Sequence, residues 1–366
     1  MSKKIIICFD GTANEPEDAH QRDLGNGRVE DDGISNVLKL YFLLGGRLKN
    51  LNKTSTAAGA SSKFPNQYVY YFQGVGTYGG FFRKFINMTL SPTCSDVDEI
   101  IGLGAKAISN TYQPGDEIYL FGFSRGAAIA RKFASLVKKY IPEDSSEPVI
   151  RFMGVFDTVI SFNAPNLSRE ENAYSKVKFE NGNRVSENVE EALHLVSLDE
   201  QRLAFRPTLM QAESRVTEIW FPGVHSDIGG GYFHDGLSDI TLQFMCEEMK
   251  RRKLNMAFRT PQKIAQKEFK NNKYGLGPED IEIIPRVDGK LHWHKRPANA
   301  FLKNRNILKC ISGADASSNQ KPLIHTSAFQ RAQKFNDYYP TALNEGQLYQ
   351  EVNDKGKIQK VSTAKF

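Results

Sequence analysis

Glu117-Ile118-Tyr119-Leu120-Phe121-Gly122-Phe123-Ser124-Arg125-Gly126-Ala127 is the stretch on which the fold turns. Glu117 to Phe121 reads as a buried strand, and Ala127 to Tyr140 has the apolar spacing of a helix. Between them, Gly122-Phe123-Ser124-Arg125-Gly126 is a G-x-S-x-G pattern in the strand–turn–helix setting of a nucleophile elbow. The requirement is steric. So sharp a turn forces the serine into a strained backbone conformation, and the small residues Gly122 and Gly126 let strand and helix approach. Ser124 Oγ is expected to project from the sheet, and the Arg125 N–H at the helix start to face a developing oxyanion. An ordinary strand-to-helix turn with a capping serine is the alternative; the flanking elements favour the elbow.

Outward from this turn the chain alternates strands and helices. Lys3 to Phe9 is a continuous apolar run ended by Asp10-Gly11-Thr12, and Gln67 to Phe72, Val149 to Phe156 and Arg215 to Phe221 are further strands. Helical spacing marks Ile34 to Leu44, with Ser35 or Asn36 as cap, Ser95 to Tyr112, capped by Ser95, and Ile240 to Lys250. Such alternation implies parallel pairing through right-handed crossovers, with the strands covered on both faces. The expected fold class is α/β, α/β-hydrolase-like, with a mostly parallel central sheet, helices on both faces and loop or cap insertions. Residues 1–366 are expected to form a single domain, with the polar, irregular stretches 160–190 and 255–320 as insertions or cap segments.

An elbow serine needs a base, and the base an orienting acid, which this fold delivers in the chain order serine, acid, histidine. The next strand ends in Gly154-Val155-Phe156-Asp157-Thr158, which places Asp157 at the carboxyl edge of the sheet, where open α/β sheets bind ligands. Asp199 is the rival, read as lying in or beside a helix with Arg202 as an ion-pair partner. Among seven histidines, His225 follows a strand end through Pro222-Gly223-Val224 and leads into Gly229-Gly230-Gly231, a glycine-rich loop able to reach the serine. His194 reads as a structural histidine in an apolar helical stretch. His292 and His294 lack the carboxylates of a metal site. His325 is the competitor for the base.

Gly11 or Thr12, at the first strand end, is expected to supply the second oxyanion amide. Asp10 can order that loop by bonding local amides. The same letters suggest a haloacid-dehalogenase phosphatase, but Cys8 stands where its nucleophilic aspartate would be. Asp10 and Asp227 are expected to line the site, and a metal between them is the minor reading, since hard cations need several oxygens. No metal and no cofactor are expected.

Composition supports a soluble globular protein: 40% of residues are hydrophobic and 25% charged. The four cysteines lack C-x-x-C spacing, and Cys8 and Cys246 read as buried free thiols. After Met1-Ser2-Lys3-Lys4 the apolar run is too short for a signal peptide, and no stretch approaches the roughly 20 residues of a spanning helix. No nucleic-acid-binding motif is present, and the formal charge of +6 is a modest excess.

Six ordered motifs carry a resemblance. They are Cys8-Phe9-Asp10-Gly11-Thr12, Ser35-Asn36-Val37, Gly74-Val75-Gly76-Thr77, Gly122 to Ala127, Val155 to Val159 and Pro222 to Gly231. Over roughly residues 1 to 250 the chain resembles the DUF2235 family of α/β-hydrolase domains, which includes the type VI secretion lipase effectors of the Tle1 class. Ile324-His325-Thr326-Ser327 to Arg331 resembles a further motif of that family. The resemblance implies a triad mapping onto Ser124, Asp157 and His225, and makes His325 a structural or pocket residue. It implies a serine carboxylic-ester hydrolase acting on lipids, a phospholipase with A-type acyl cleavage. The alternatives are an antibacterial type VI effector with immunity and delivery partners, an esterase on soluble acyl esters, and a non-catalytic binding module. A lipid or membrane-surface substrate is expected, with no nucleic acid partner. The expected location is the cytoplasm of the producing cell, with export by a signal-less route such as type VI secretion.

Overall fold

The computed structural model describes residues 2–12, 14–19, 23–25, 28–29, 31–48, 51, 59–60, 64–74, 94–145, 149–160, 184–261, 264, 269–270, 272–293, 302–307 and 321–365. In chain order the elements are β1 (Lys4–Phe9), a ribbon of β2 (Asp23–Gly25) and β3 (Arg28–Val29), α1 (Asn36–Leu43), β4 (Gly59–Ala60), β5 (Gln67–Phe72), α2 (Cys94–Thr111), β6 (Glu117–Phe123) and α3 (Ser124–Leu136). There follow β7 (Ile150–Phe156), β8 (Ala192–Ser197), β9 (Val216–Phe221), α4 (His225–Gly229), α5 (Gly236–Arg251), β10 (Leu323–His325), a helix over Thr326–Lys334, β11 (Leu348–Val352) and β12 (Ile358–Thr363).

Ten strands form one sheet in the order β4-β5-β1-β6-β7-β8-β9-β10-β11-β12. From β5 to β11 every pairing is parallel; only the edge strands β4 and β12 run antiparallel. This is the α/β-hydrolase-like class expected from the alternation of strands and helices. The chain steps from β1 outward to β5, then returns across β1 to lay down β6 and every later strand on the other side. That reversal makes the junction of β1 and β6 the topological switch point, where a crevice opens beyond the carboxyl ends of the strands.

Two apolar layers follow from the alternation of side chains along each strand. Ile5, Ile7 and Phe9 of β1, with Ile118 and Leu120 of β6, pack on Ile100 and Ile108 of α2 and Ile129 and Phe133 of α3. Ile6 and Cys8, with Tyr119, Phe121 and Phe123, face α1 and α5. Each buried Ile, Leu or Phe contributes roughly 1.5–3 kcal/mol, so strands apolar on both faces are what this sandwich requires. Ile264, Phe269, Tyr274, Leu276 and Ile281, from the stretch that reads as polar in sequence, join the α1/α5 layer. A third cluster, with Trp220, Ile324 and Tyr349, fills the β9–β11 end. Cys8 and Cys246 are buried free thiols. Among the described residues no helix is long and apolar enough to cross a membrane.

Several boundaries differ from the sequence reading. α3 starts at Ser124 itself, three residues before the apolar periodicity becomes visible, because the elbow enters the helix without a linker. It ends at Leu136, and Val137–Tyr140 tighten into a 3-10 turn. α2 starts at Cys94, so Ser95 lies within its first turn and is not its cap. Ser35 does cap α1, its Oγ accepting from Leu38 N at 3.1 Å. His194 stands in strand β8, not in a helix. Residues 75–77, 161–183, 294–301, 308–320 and the side chain of Cys94 lie outside the described residues, and with them His294, Cys310 and most of the expected 160–190 insertion.

Candidate active site

Register brings the site residues to one edge. Phe9 pairs with Gly122, and Phe123 pairs with Phe156, so Asp10, Ser124 and Asp157 each follow strand ends in adjacent positions. Ser124 has φ +56° and Asp157 φ +33°, both in the left-handed region that costs a non-glycine residue of order 1–3 kcal/mol. Surrounding packing holds the elbow in that conformation. A Cβ on Gly126 would lie 2.2 Å from Asp10 O and 2.3 Å from Phe9 O, and one on Gly122 would lie 2.7 Å from Ala127 Cα. The two glycines therefore let α3 sit against both β6 and the end of β1. Gly11 lies against the serine, since its Cβ would come 3.3 Å from Ser124 Cβ.

Asp157 and His225 are joined. Asp157 Oδ2 is 2.7 Å from His225 Nδ1. Its carboxylate also accepts from Ser197 N at 2.9 Å and from both terminal nitrogens of Arg305, at 2.7 and 2.9 Å. Burial alone would raise this carboxyl; the Arg305 guanidinium and the His225 ring hold it well below the usual carboxylate range. Burial in turn pushes His225 below the ordinary imidazole value, against the pull of Asp157, so the ring is neutral near pH 7. A neutral ring bonded to a carboxylate through Nδ1 leaves Nε2 as its basic nitrogen.

His225 opens α4 rather than standing on an open loop. Asp227 holds that turn, accepting from Val224 N at 2.9 Å, and Glu200 accepts from His225 N at 3.1 Å. The ring is clamped between Phe123, at 4.6 Å between centroids, and Phe205, at 4.9 Å and edge-on. Among the described residues no hydrogen bond joins Ser124 Oγ to His225; the two elements meet through Phe123. Catalytic hydrogen bonds often form only once substrate is bound.

The first strand end carries the oxyanion candidates. Asp10 Oδ1 accepts from Gly11 N at 2.7 Å, while Oδ2 accepts from Ser35 Oγ and Tyr71 Oη, each at 2.6 Å. Gly11 therefore spends its amide on Asp10. Asp10 orders the loop as expected from its type, through one amide and two hydroxyls. Burial raises its carboxyl in spite of these donors. Arg125 is the second residue of α3, so its amide is among those left open at the helix start. Gly74, in the third motif, has no room for a side chain, because a Cβ would lie 1.5 Å from Gly11 O.

The remaining candidates have other partners. Asp199 accepts from Gly223 N at 2.7 Å and Tyr338 Oη at 2.9 Å, and burial raises it to about 6; among the described residues His225 Nδ1 bonds Asp157 instead. Arg202 pairs in a bidentate manner with Glu200, at 2.8 Å through each oxygen, and not with Asp199. His194 accepts from Thr158 N at 3.0 Å and meets Glu218 at 2.7 Å, which ties down the turn after Asp157. His325 caps the helix Thr326–Lys334 and stacks on Phe221 at 4.3 Å. Asp227 is taken up by His292 Nδ1 at 2.6 Å. Among the described residues no group of three or more His, Cys, Asp and Glu could hold a metal ion. Arg305 and Glu200 carried no motif. Arg305 lies 148 positions from Asp157 in a polar stretch, so only folding reveals the contact.

A serine at a strained elbow on the switch-point edge of a parallel sheet, with a carboxylate beyond the adjacent strand β7 joined to an imidazole beyond β9, defines the α/β-hydrolase-like class. The description "T6SS, Phospholipase effector Tle1-like, catalytic domain" matches residues 3–141 and 142–248, and the chain belongs to that family. An uncharacterized protein of Saccharomyces cerevisiae is 31% identical over 149 residues, which is 37% of this chain and 17% of that protein. The solved structure of the Tle1 effector bound to the VgrG spike of the type 6 secretion system shares 25% identity, with a TM-score of 0.39, over 63% of this chain and 51% of its own. An uncharacterized protein from Pseudomonas aeruginosa shares 19% identity, with a TM-score of 0.43, over 73% of this chain and 48% of its own. The chain thus spans about half the length of these solved structures.

Proposed function

We propose that this chain hydrolyses carboxylic esters of lipids, cleaving the acyl ester of a glycerophospholipid with Ser124 as nucleophile, His225 as general base and Asp157 as orienting acid. The observation that carries the reading is the 2.7 Å contact of Asp157 with His225 Nδ1 on the same sheet edge as a serine held at φ +56°. Family membership supports the lipid substrate.

In this mechanism Ser124 Oγ attacks the acyl carbonyl carbon as His225 Nε2 takes its proton. The carbonyl oxygen becomes an oxyanion between the amides of Arg125 and Thr12. Such donors are worth about 3–4 kcal/mol in serine hydrolases. Collapse breaks the ester bond, and the lysophospholipid oxygen leaves with the proton from His225. Water then repeats the attack on the acyl-enzyme, releasing the fatty acid and restoring Ser124.

The test is fatty-acid release from phospholipid vesicles by wild type and Ser124→Ala, with short-chain nitrophenyl esters in parallel. Serine-dependent release from vesicles is expected. Wild-type rates in Ser124→Ala would refute the mechanism, and serine-dependent cleavage of the soluble esters alone would refute the lipid substrate. Family membership also favours a delivered effector, paired with a delivery protein and an immunity protein. Toxicity that appears only when the chain is directed to the periplasm of a test bacterium, and disappears with Ser124→Ala, is the outcome this requires.

A further inference from the structure

Two large apolar side chains stand in water beside the proposed site: Phe233 is 48% exposed and Trp293 42%. They come from separate segments that the fold locks together. Tyr232 stacks on His292 with ring centroids 3.7 Å apart and planes within 14°. The Asp31 carboxylate accepts from His234 N at 3.0 Å, meets His234 Nδ1 at 2.9 Å and His292 Nε2 at 3.1 Å, and pairs with Lys290. On its other nitrogen His292 meets Asp227 at 2.6 Å. Residues 31, 232–234 and 290–293 are thus one clasp.

This clasp adjoins the base. Asp227 caps the turn that carries His225, and the Tyr232 side chain bonds to Ser226, the next residue after His225. Phe233 and Trp293 therefore extend the edge of the site outward. Many polar contacts fix their backbone, yet the two rings are left uncovered. An exposed apolar pair on a rigid rim marks an interaction surface. Tryptophan in particular suits the boundary between headgroups and hydrocarbon, having an apolar body and one N–H donor. The formal charge of +6 matches a negatively charged leaflet in sign.

We propose that Phe233 and Trp293 form a docking rim that seats the site on an anionic phospholipid surface, an inference that rests on the lipid-ester reading above. The bilayer is favoured over a protein partner because the rim is continuous with the site, where a lipid substrate would have to leave its leaflet.

The chain holds two tryptophans, and Trp220 is only 1% exposed, so a change in emission on vesicles reports Trp293. Titrating the Ser124→Ala protein with vesicles of phosphatidylethanolamine and phosphatidylglycerol should shift the emission to the blue and shield it from aqueous iodide. Trp293→Phe should abolish that response. Phe233→Ser combined with Trp293→Ser should weaken vesicle pelleting about tenfold or more, as expected for withdrawing two aromatic side chains from an interface. Unchanged emission, or equal pelleting by the double variant, would overturn the rim. Fatty-acid release by wild type without a Trp293 response would do the same while leaving the phospholipase reading intact. The full optical response without any release would keep the rim and remove the phospholipase.

Discussion

Asp157 is surrounded by four donors: His225 Nδ1, Ser197 N and the two terminal nitrogens of Arg305. Removing the guanidinium leaves a fully buried carboxylate short of its opposing charge. Arg305→Met should lower the unfolding free energy by about 3–5 kcal/mol, as for other buried pairs stripped of one partner. The sign with pH follows from the direction of the shift. A carboxyl depressed in the folded state stabilises it above the unfolded value, and this is lost as pH falls through the folded value. Without Arg305 the folded value rises toward the unfolded one, so the variant should lose less of its stability to acid than wild type, and the gap between their urea midpoints should narrow as pH falls. Equal acid sensitivity would contradict the assigned role of Arg305. At the same centre Asp157→Asn should cost about 10⁴-fold in turnover by disfavouring the useful tautomer, as it does in serine proteases. With wild type, kcat/KM on a soluble ester should rise with pH through a His225 value below 6.5 and be flat by neutrality; a limb above 7 would assign the base elsewhere.

The elbow is a property of two elements meeting. Gly126 belongs to α3, but backbone oxygens of Phe9 and Asp10 forbid a side chain there. Gly126→Ala must therefore push α3 away from β1, with a loss of stability of about 1–3 kcal/mol, the scale of overpacking, and a displaced nucleophile. Gly102, in α2, faces open space: a Cβ there would meet nothing within 4 Å. Gly102→Ala should instead stabilise by about 1 kcal/mol through helix propensity alone. Urea unfolding of the two variants checks the contrast, and loss of stability in both would show that the close approach at Gly126 is not the cause. The motif around Ser124 revealed the elbow because its constraint is local. Where α3 begins was less legible: Ser124-Arg125-Gly126 has no apolar periodicity, and tertiary packing, not propensity, makes these residues helical.

Across the molecule, distant segments are pinned by buried charge. Lys39 of α1 meets Asp239 of α5 at 2.9 Å and Asp235 at 2.5 Å, and donates to Glu282 O at 3.2 Å. Burial pushes the Asp239 carboxyl up even beside Lys39. Lys39→Met should cost about 3–5 kcal/mol, because two carboxylates lose their counter-charge. The loss should be larger at pH 8 than at pH 5, where a raised carboxyl can take up a proton and bury neutral. A loss independent of pH would mean that Lys39 acts through packing.

The sequence by itself determined the parallel α/β sheet and the sharp turn at Ser124, and it singled out Asp157 and His225 as candidates, since apolar runs, turn glycines and strand-end placement are short-range patterns. Tertiary structure alone decided which chemistry surrounds them. That Asp157 is bound by Arg305 and that His194 belongs to a strand facing Glu218 both depend on contacts between distant residues. So does the clasp that carries Phe233 and Trp293, closed by Asp31 from about 200 residues away. No local pattern encodes such contacts, because each exists only after the sheet order has brought its strands together.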